Sequence, residues 1–98
     1  MNLVIVESPT KVPILSKFYY CYILKSLKTG QYYIGSTHDC RVRLIQHNRG
    51  LSRSTKRGRP WMLIYTEKYS TLVDARRREK QIKHWKSRVA IERLLNKI

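Results

Sequence analysis

Tyrosine, arginine, histidine and a lone carboxylate stand in this chain where they could act on a phosphate together. Tyr22 and Tyr33 lie on either side of a short polar turn. Arg43 and His47 follow four residues apart, and Glu79 sits inside a basic run. A phenol or an imidazole can move a proton, an arginine can hold a phosphate, and a carboxylate can hold a hard cation. These are the parts needed to cut a phosphodiester with a single divalent metal. The acids number six in all, Glu7, Asp39, Glu67, Asp74, Glu79 and Glu92. They are scattered, so the converging carboxylates of a two-metal centre are not expected. A metal here would rest on one carboxylate, waters and substrate phosphate, which suits Mg²⁺.

Each of these residues has a plainer reading. Glu79 on an apolar helical stripe could simply pair with Arg76, Arg78 or Lys83, since a buried charge is costly unless paired or coordinated. Tyr22 and Tyr33 could fill a small core with their hydroxyls at its edge. Arg43 and His47 could form a solvated helix face.

The elements that must position them are legible from pattern. Tyr19 to Leu24 and Gln31 to Ser36 are β-prone runs around the turn signal Lys28-Thr29-Gly30, and read as a hairpin. Alternation puts Tyr20, Tyr22 and Leu24 on one face, and Tyr33 with Gly35 on one face of the next strand, so Tyr22 and Tyr33 can meet. Asp39 can cap a helix running to about Arg49 and ended by Gly50, with Arg43 and His47 on one side of it. Leu51 to Pro60 reads as a basic loop, and Trp61 to Tyr65 as a third, buried strand. Ser70 or Thr71 starts a helix with Asp74 in its first turn. Leu72, Ala75, Ile82 and Trp85 form its apolar stripe, and Glu79 lies on that stripe. Ser87 can cap a last helix. The expected fold is α+β, a small antiparallel three-stranded sheet flanked by helices in the order β-β-α-β-α-α, without internal repeats.

Composition names the class of partner. The chain has 98 residues, 21 Lys and Arg, and a net charge of +15. That predicts a polyanion, with nucleic acid first and an anionic membrane surface second. The cations expected to meet nucleic acid are Arg53, Lys56, Arg57, Arg59, Arg76, Arg77, Lys80 and Lys83. No apolar run is long enough to span a bilayer. The opening residues lack a basic n-region and are too short for a signal peptide. Cys21 and Cys40 make neither a zinc site nor a disulfide framework, and reduced thiols fit a cytoplasmic setting.

The ordered set of motifs resembles the GIY-YIG nuclease domain, in its compact single-domain form, over residues 19–98. Tyr20-Cys21-Tyr22 stands at the first motif, in degenerate form, and Tyr33-Ile34-Gly35 is the second, intact. Arg43, His47-Asn48-Arg49-Gly50, Arg59-Pro60-Trp61 and Ala75 through Lys83 follow in the family's order. The resemblance implies that Tyr33 is the tyrosine that activates the nucleophile, or its hydrogen-bonding partner, with Tyr22 sharing that role. It implies that Arg43 binds the scissile phosphate, that His47 helps activate water or relay a proton, and that Glu79 holds one Mg²⁺ or Mn²⁺. A tyrosine is a poor base at neutral pH, so Arg43 and the metal are expected to lower its pKa.

Residues 1–18 read as an N-terminal appendage carrying only Glu7, Lys11 and Lys17 as charges. Leu3 to Val6 reads as a strand. Leu3 through Lys11 resembles the opening strand of a type IA topoisomerase Toprim domain. The rest of that domain, including its acidic metal motif, is missing, so Glu7 is given no catalytic role and a fused or truncated gene start is expected. The sequence therefore points to a metal-dependent DNA endonuclease of the cytoplasm, in the service of DNA repair. The alternatives are a nucleic-acid-binding module without activity and, more remotely, a membrane-surface protein. No obligate protein partner is expected, and oligomeric state, DNA structure and base preference stay open.

Overall fold

The computed structural model describes residues 17–97. The expected strand at Leu3 to Val6, and Glu7, lie outside the described residues. Strand β1, Tyr19–Ser26, is the middle of a three-stranded antiparallel sheet. Strand β2, Tyr32–Thr37, pairs on one side of it and strand β3, Trp61–Tyr69, on the other. Aromatic and β-branched residues dominate all three, as a pleated, half-buried surface requires.

The β1–β2 hairpin sets the register of the site. Tyr22 lies opposite Gly35 and Leu24 opposite Tyr33. This brings Tyr22 and Tyr33 to the same face, with ring centres 6.3 Å apart. Strand β3 differs from the expected buried strand. It runs nine residues, and only Trp61 in it is buried, while Met62 is 46% exposed. The reason is position: β3 is an edge, and the buried middle place belongs to β1. A bulge interrupts its pairing, because Ile23 faces Tyr65 while the next residue, Leu24, faces Leu63.

The two faces of β1 feed two cores. Cys21 and Ile23 pack with Ile34, Ile82 and Ile91. Tyr22 and Leu24 pack with Trp61, against Tyr33, Cys40, Leu44 and Leu63. Helix α1, Cys40–Asn48, covers the second core, and helices α2, Leu72–Trp85, and α3, Arg88–Leu95, cover the first. Each helix begins on the expected cap. Asp39, Thr71 and Ser87 accept from the backbone N–H groups of Val42, Asp74 and Ala90. Each such cap satisfies an amide that the first turn leaves without an intrahelical partner.

The segment read as a basic loop contains a 3₁₀ helix, Arg53–Gly58. It is pinned at two points. The Ser26 hydroxyl donates to the Gly58 carbonyl at 2.6 Å, and Trp61 Nε1–H donates to the Thr55 carbonyl at 2.8 Å. Asn48 grips the Trp61 backbone from α1, accepting its N–H at 2.7 Å and donating to its carbonyl at 3.0 Å. Gly58 lies against the Trp61 indole so closely that a Cβ would overlap it. The Arg59–Pro60 peptide is cis.

Candidate active site

The hairpin and α1 bring Tyr22, Tyr33, Arg43 and His47 together. The Tyr22 hydroxyl and His47 Nε2 are 2.8 Å apart. The Tyr33 ring stands edge-on to His47, with centres 4.9 Å apart. Tyr22 is 2% exposed and His47 fully buried, so the solvated-face reading of His47 does not hold. Gly35 makes the arrangement possible: a Cβ there would lie 2.5 Å from the Tyr22 hydroxyl oxygen. The glycine of the second motif thus clears room for the tyrosine of the first.

Arg43 is half-buried beside the Tyr22 hydroxyl and donates to Gln46 Oε1 at 2.8 Å. Its charge works on both neighbours. Burial lowers the His47 pKa to about 4, and Arg43 adds to that, so the imidazole is neutral at physiological pH. Burial and the neighbouring Tyr33 push the Tyr22 phenol well above its ordinary value, against the pull of Arg43. The expectation that positive charge would lower a tyrosine pKa here is corrected for Tyr22. Desolvation outweighs the one cation, and Glu79 also opposes ionisation.

Glu79 comes from the other layer. It is 19% exposed, accepts from the Ser36 hydroxyl at 2.6 Å, and pairs with Lys83 Nζ at 2.5 Å. Ser36 is on β2, the strand that carries Tyr33 and Gly35, so Glu79 reaches the tyrosine group across that edge. The Lys83 ammonium stands 5.9 Å from the Tyr33 ring centre and links the two halves. Of the plain partners considered for Glu79, Lys83 is the one found. Arg78 instead forks onto Glu67, at 2.9 Å and 3.2 Å. Glu67 also accepts from the Tyr65 and Tyr69 hydroxyls. Burial alone would raise the Glu67 pKa, but Arg78 and the two hydroxyls outweigh it and hold it below the usual carboxylate range. This clamp ties β3 to the turn of α2 that bears Glu79.

The basic set divides. Arg53, Lys56, Arg57 and Arg59 line a groove of about 1000 Å³ with Lys28, Asn48 and Pro60. Arg76, Arg77 and Lys80 are exposed on α2, where Arg77 also meets Asp74 at 2.9 Å. Lys83 belongs to the Glu79 pair. Sequence reasoning missed Thr55, whose hydroxyl lies 2.7 Å from His47 Nδ1, along with Ser26 and Ser36. A lone hydroxyl in a polar segment carries no periodic signal. Asn48 stood within a recognised motif, yet only the fold shows that it holds Trp61.

Among the described residues, no group of three or more His, Cys, Asp or Glu side chains could hold a metal ion. Glu79 is a single hard-oxygen ligand, backed by a hydroxyl donor and already holding a cation at bonding distance. It fits a divalent ion that takes its remaining ligands from water and phosphate.

The GIY-YIG catalytic domain model matches residues 18–93. The structure-specific endonuclease subunit slx1 of Schizosaccharomyces pombe is 51% identical over 55 residues, covering 50% of this chain and 20% of that protein. A UPF0213 protein of Staphylococcus saprophyticus is 41% identical over 66 residues, covering 66% of this chain and 79% of its own length. The slx1 subunit of Neosartorya fischeri is 36% identical over 95 residues, covering 87% of this chain and 23% of that protein. The chain thus spans about a fifth of the slx1 relatives. No solved structure matches it. With the model matching most of its length, the chain belongs to the GIY-YIG catalytic domain family of nucleases.

Proposed function

We propose that this chain is a metal-dependent endonuclease that hydrolyses phosphodiester bonds of DNA. The observation that carries the reading is the hydrogen bond between Tyr22 and a neutral His47, beside Arg43 and within electrostatic reach of Glu79. Arg43 holds the scissile phosphate and offsets the charge that develops on it. Tyr22 takes the proton of the attacking water as it passes its own to His47 Nε2. Its high intrinsic pKa makes a phenolate strong as a base, and the imidazole spares it from existing free beforehand. Tyr33, less buried than Tyr22, borders the water and orders it. Glu79 would hold one Mg²⁺ or Mn²⁺, which supplies charge stabilisation at the leaving oxygen. Lys83 must release Glu79 for this, and its freed ammonium can then meet phosphate.

The basic groove beside the 3₁₀ helix and the exposed cations of α2 would carry the flanking backbone. The relatives named structure-specific endonuclease subunits support a nucleic acid as the substrate. Among the described residues no helix is long and apolar enough to cross a membrane. We place the domain's work on cytoplasmic DNA, and treat residues 1–18 as an appendage that cleavage does not need.

The test is nicking of plasmid with Mg²⁺ and with a chelator, followed by cleavage of single-stranded, duplex, flap and branched DNA. Cutting that requires the metal is expected. Tight binding without cutting under Mg²⁺ or Mn²⁺ would replace the enzyme with an inactive binding module.

A further inference from the structure

The 3₁₀ helix carries cations outward, but Thr55 within it turns inward and is 1% exposed. Its hydroxyl oxygen lies 2.7 Å from His47 Nδ1 and donates its hydrogen to the Ser52 carbonyl at 3.3 Å. A hydroxyl has one hydrogen to give, and a carbonyl can only accept. With its hydrogen on the Ser52 carbonyl, Thr55 is left to accept from His47 Nδ1. That places the imidazole hydrogen on Nδ1. Nε2 then presents a lone pair, 2.8 Å from the Tyr22 hydroxyl. The polarity of the chain from Tyr22 through His47 and Thr55 to Ser52 is set at its far end by a backbone carbonyl. With the opposite tautomer, an Nε2–H would face the tyrosine oxygen and the ring could not receive the phenolic proton.

The surroundings hold this direction in place. Tyr22 and Tyr33 meet the His47 ring edge-on, through ring contacts that do not distinguish its nitrogens. Thr55 is itself immobilised, because Trp61 holds its carbonyl and Asn48, next to His47 on α1, holds Trp61.

We propose that Thr55 is a positioning residue that fixes His47 as the Nδ1–H tautomer, making Nε2 the acceptor for the Tyr22 proton. Its consequence for rate rests on the nuclease reading above. The tautomer does not, which lets the two be tested apart.

The experiment is ¹⁵N NMR of the imidazole in the full chain near neutral pH, with cleavage measured on the same samples. Wild type should show Nδ1 protonated and Nε2 bare. Thr55→Val keeps the shape but removes the acceptor. It should shift His47 toward Nε2–H and lower turnover by roughly tenfold or more, with DNA affinity held within about twofold. Thr55→Ser should restore both. Nε2–H in the wild type overturns the proposal, and that spectrum decides even if the valine variant does not fold. A folded valine variant that keeps Nδ1–H, or that cuts at the wild-type rate, also overturns it. A wild type that shows Nδ1–H yet cuts no DNA supports the tautomer assignment and counts against the nuclease reading.

Discussion

Tyr22 and His47 share one hydrogen bond, and burial acts on them in opposite directions. It makes the phenol harder to ionise and the imidazole harder to protonate, so both are neutral at rest. A proton passed from Tyr22 to His47 would leave a phenolate beside an imidazolium, which burial opposes on both sides. Removing a tyrosine hydroxyl should separate chemistry from binding. Tyr33→Phe keeps the ring edge-on to His47, and should lower turnover far more than DNA affinity. Near-normal turnover would return Tyr33 to a packing role. His47 also leaves a mark on stability. Its folded pKa, about 4, lies below the ordinary 6.5. Between those values the unfolded chain binds the extra proton, so stability falls as the pH drops from about 6.5 toward 4. The loss should total roughly 3 kcal/mol and be absent from His47→Gln, as denaturant melts across that range would show.

At the scale of elements, the hairpin and the 3₁₀ helix do the positioning. Gly35 faces Tyr22 across the strand pair, and a methyl there would press on the hydroxyl that His47 needs. Gly35→Ala should therefore cost about 1–3 kcal/mol by overpacking and lower cutting beyond that. A variant with normal melting temperature and rate would show that the close approach has no function. The hairpin turn, the caps Asp39, Thr71 and Ser87, and the order of elements were legible in the sequence, because each depends on residues close along the chain. The meeting of Tyr22 and Tyr33 was legible too, since period-two alternation and a short turn decide it. Three things were not. That β3 is an edge depends on which strand takes the middle. The inward turn of Thr55 depends on Trp61 and Ser26, several residues away or farther. The upward shift of Tyr22 depends on how deeply it is buried, which local pattern does not reveal. The stripe that carries Glu79 is legible from helical spacing, but its pairing with Lys83 rather than Arg78 follows from Glu67 claiming Arg78.

At the scale of the whole molecule, the sequence carries a net charge of +15, while Tyr22 and His47 are buried and neutral. The groove lined by Lys28, Arg53, Lys56, Arg57 and Arg59 has no acid in its wall. DNA affinity should fall steeply with salt as counterions are released. Neutralising Arg53, Lys56, Arg57 and Arg59 together should flatten the plot of log affinity against log salt, by up to about 0.9 for each duplex phosphate that the protein ceases to neutralise. An unchanged slope in that variant would remove the groove from the DNA path.

The central claim is that Glu79 holds the catalytic cation, and Glu79→Gln tests it most directly. The ion pair it gives up leaves Lys83 about half exposed, so the structural cost should be only about 0–1 kcal/mol. Single-turnover cleavage with Mg²⁺ should nevertheless fall by about 100-fold or more, because several kcal/mol of charge stabilisation goes with the metal. Melting temperature and DNA affinity should stay close to wild type. A folded Glu79→Gln protein that cuts DNA at the wild-type rate in Mg²⁺ would contradict the claim.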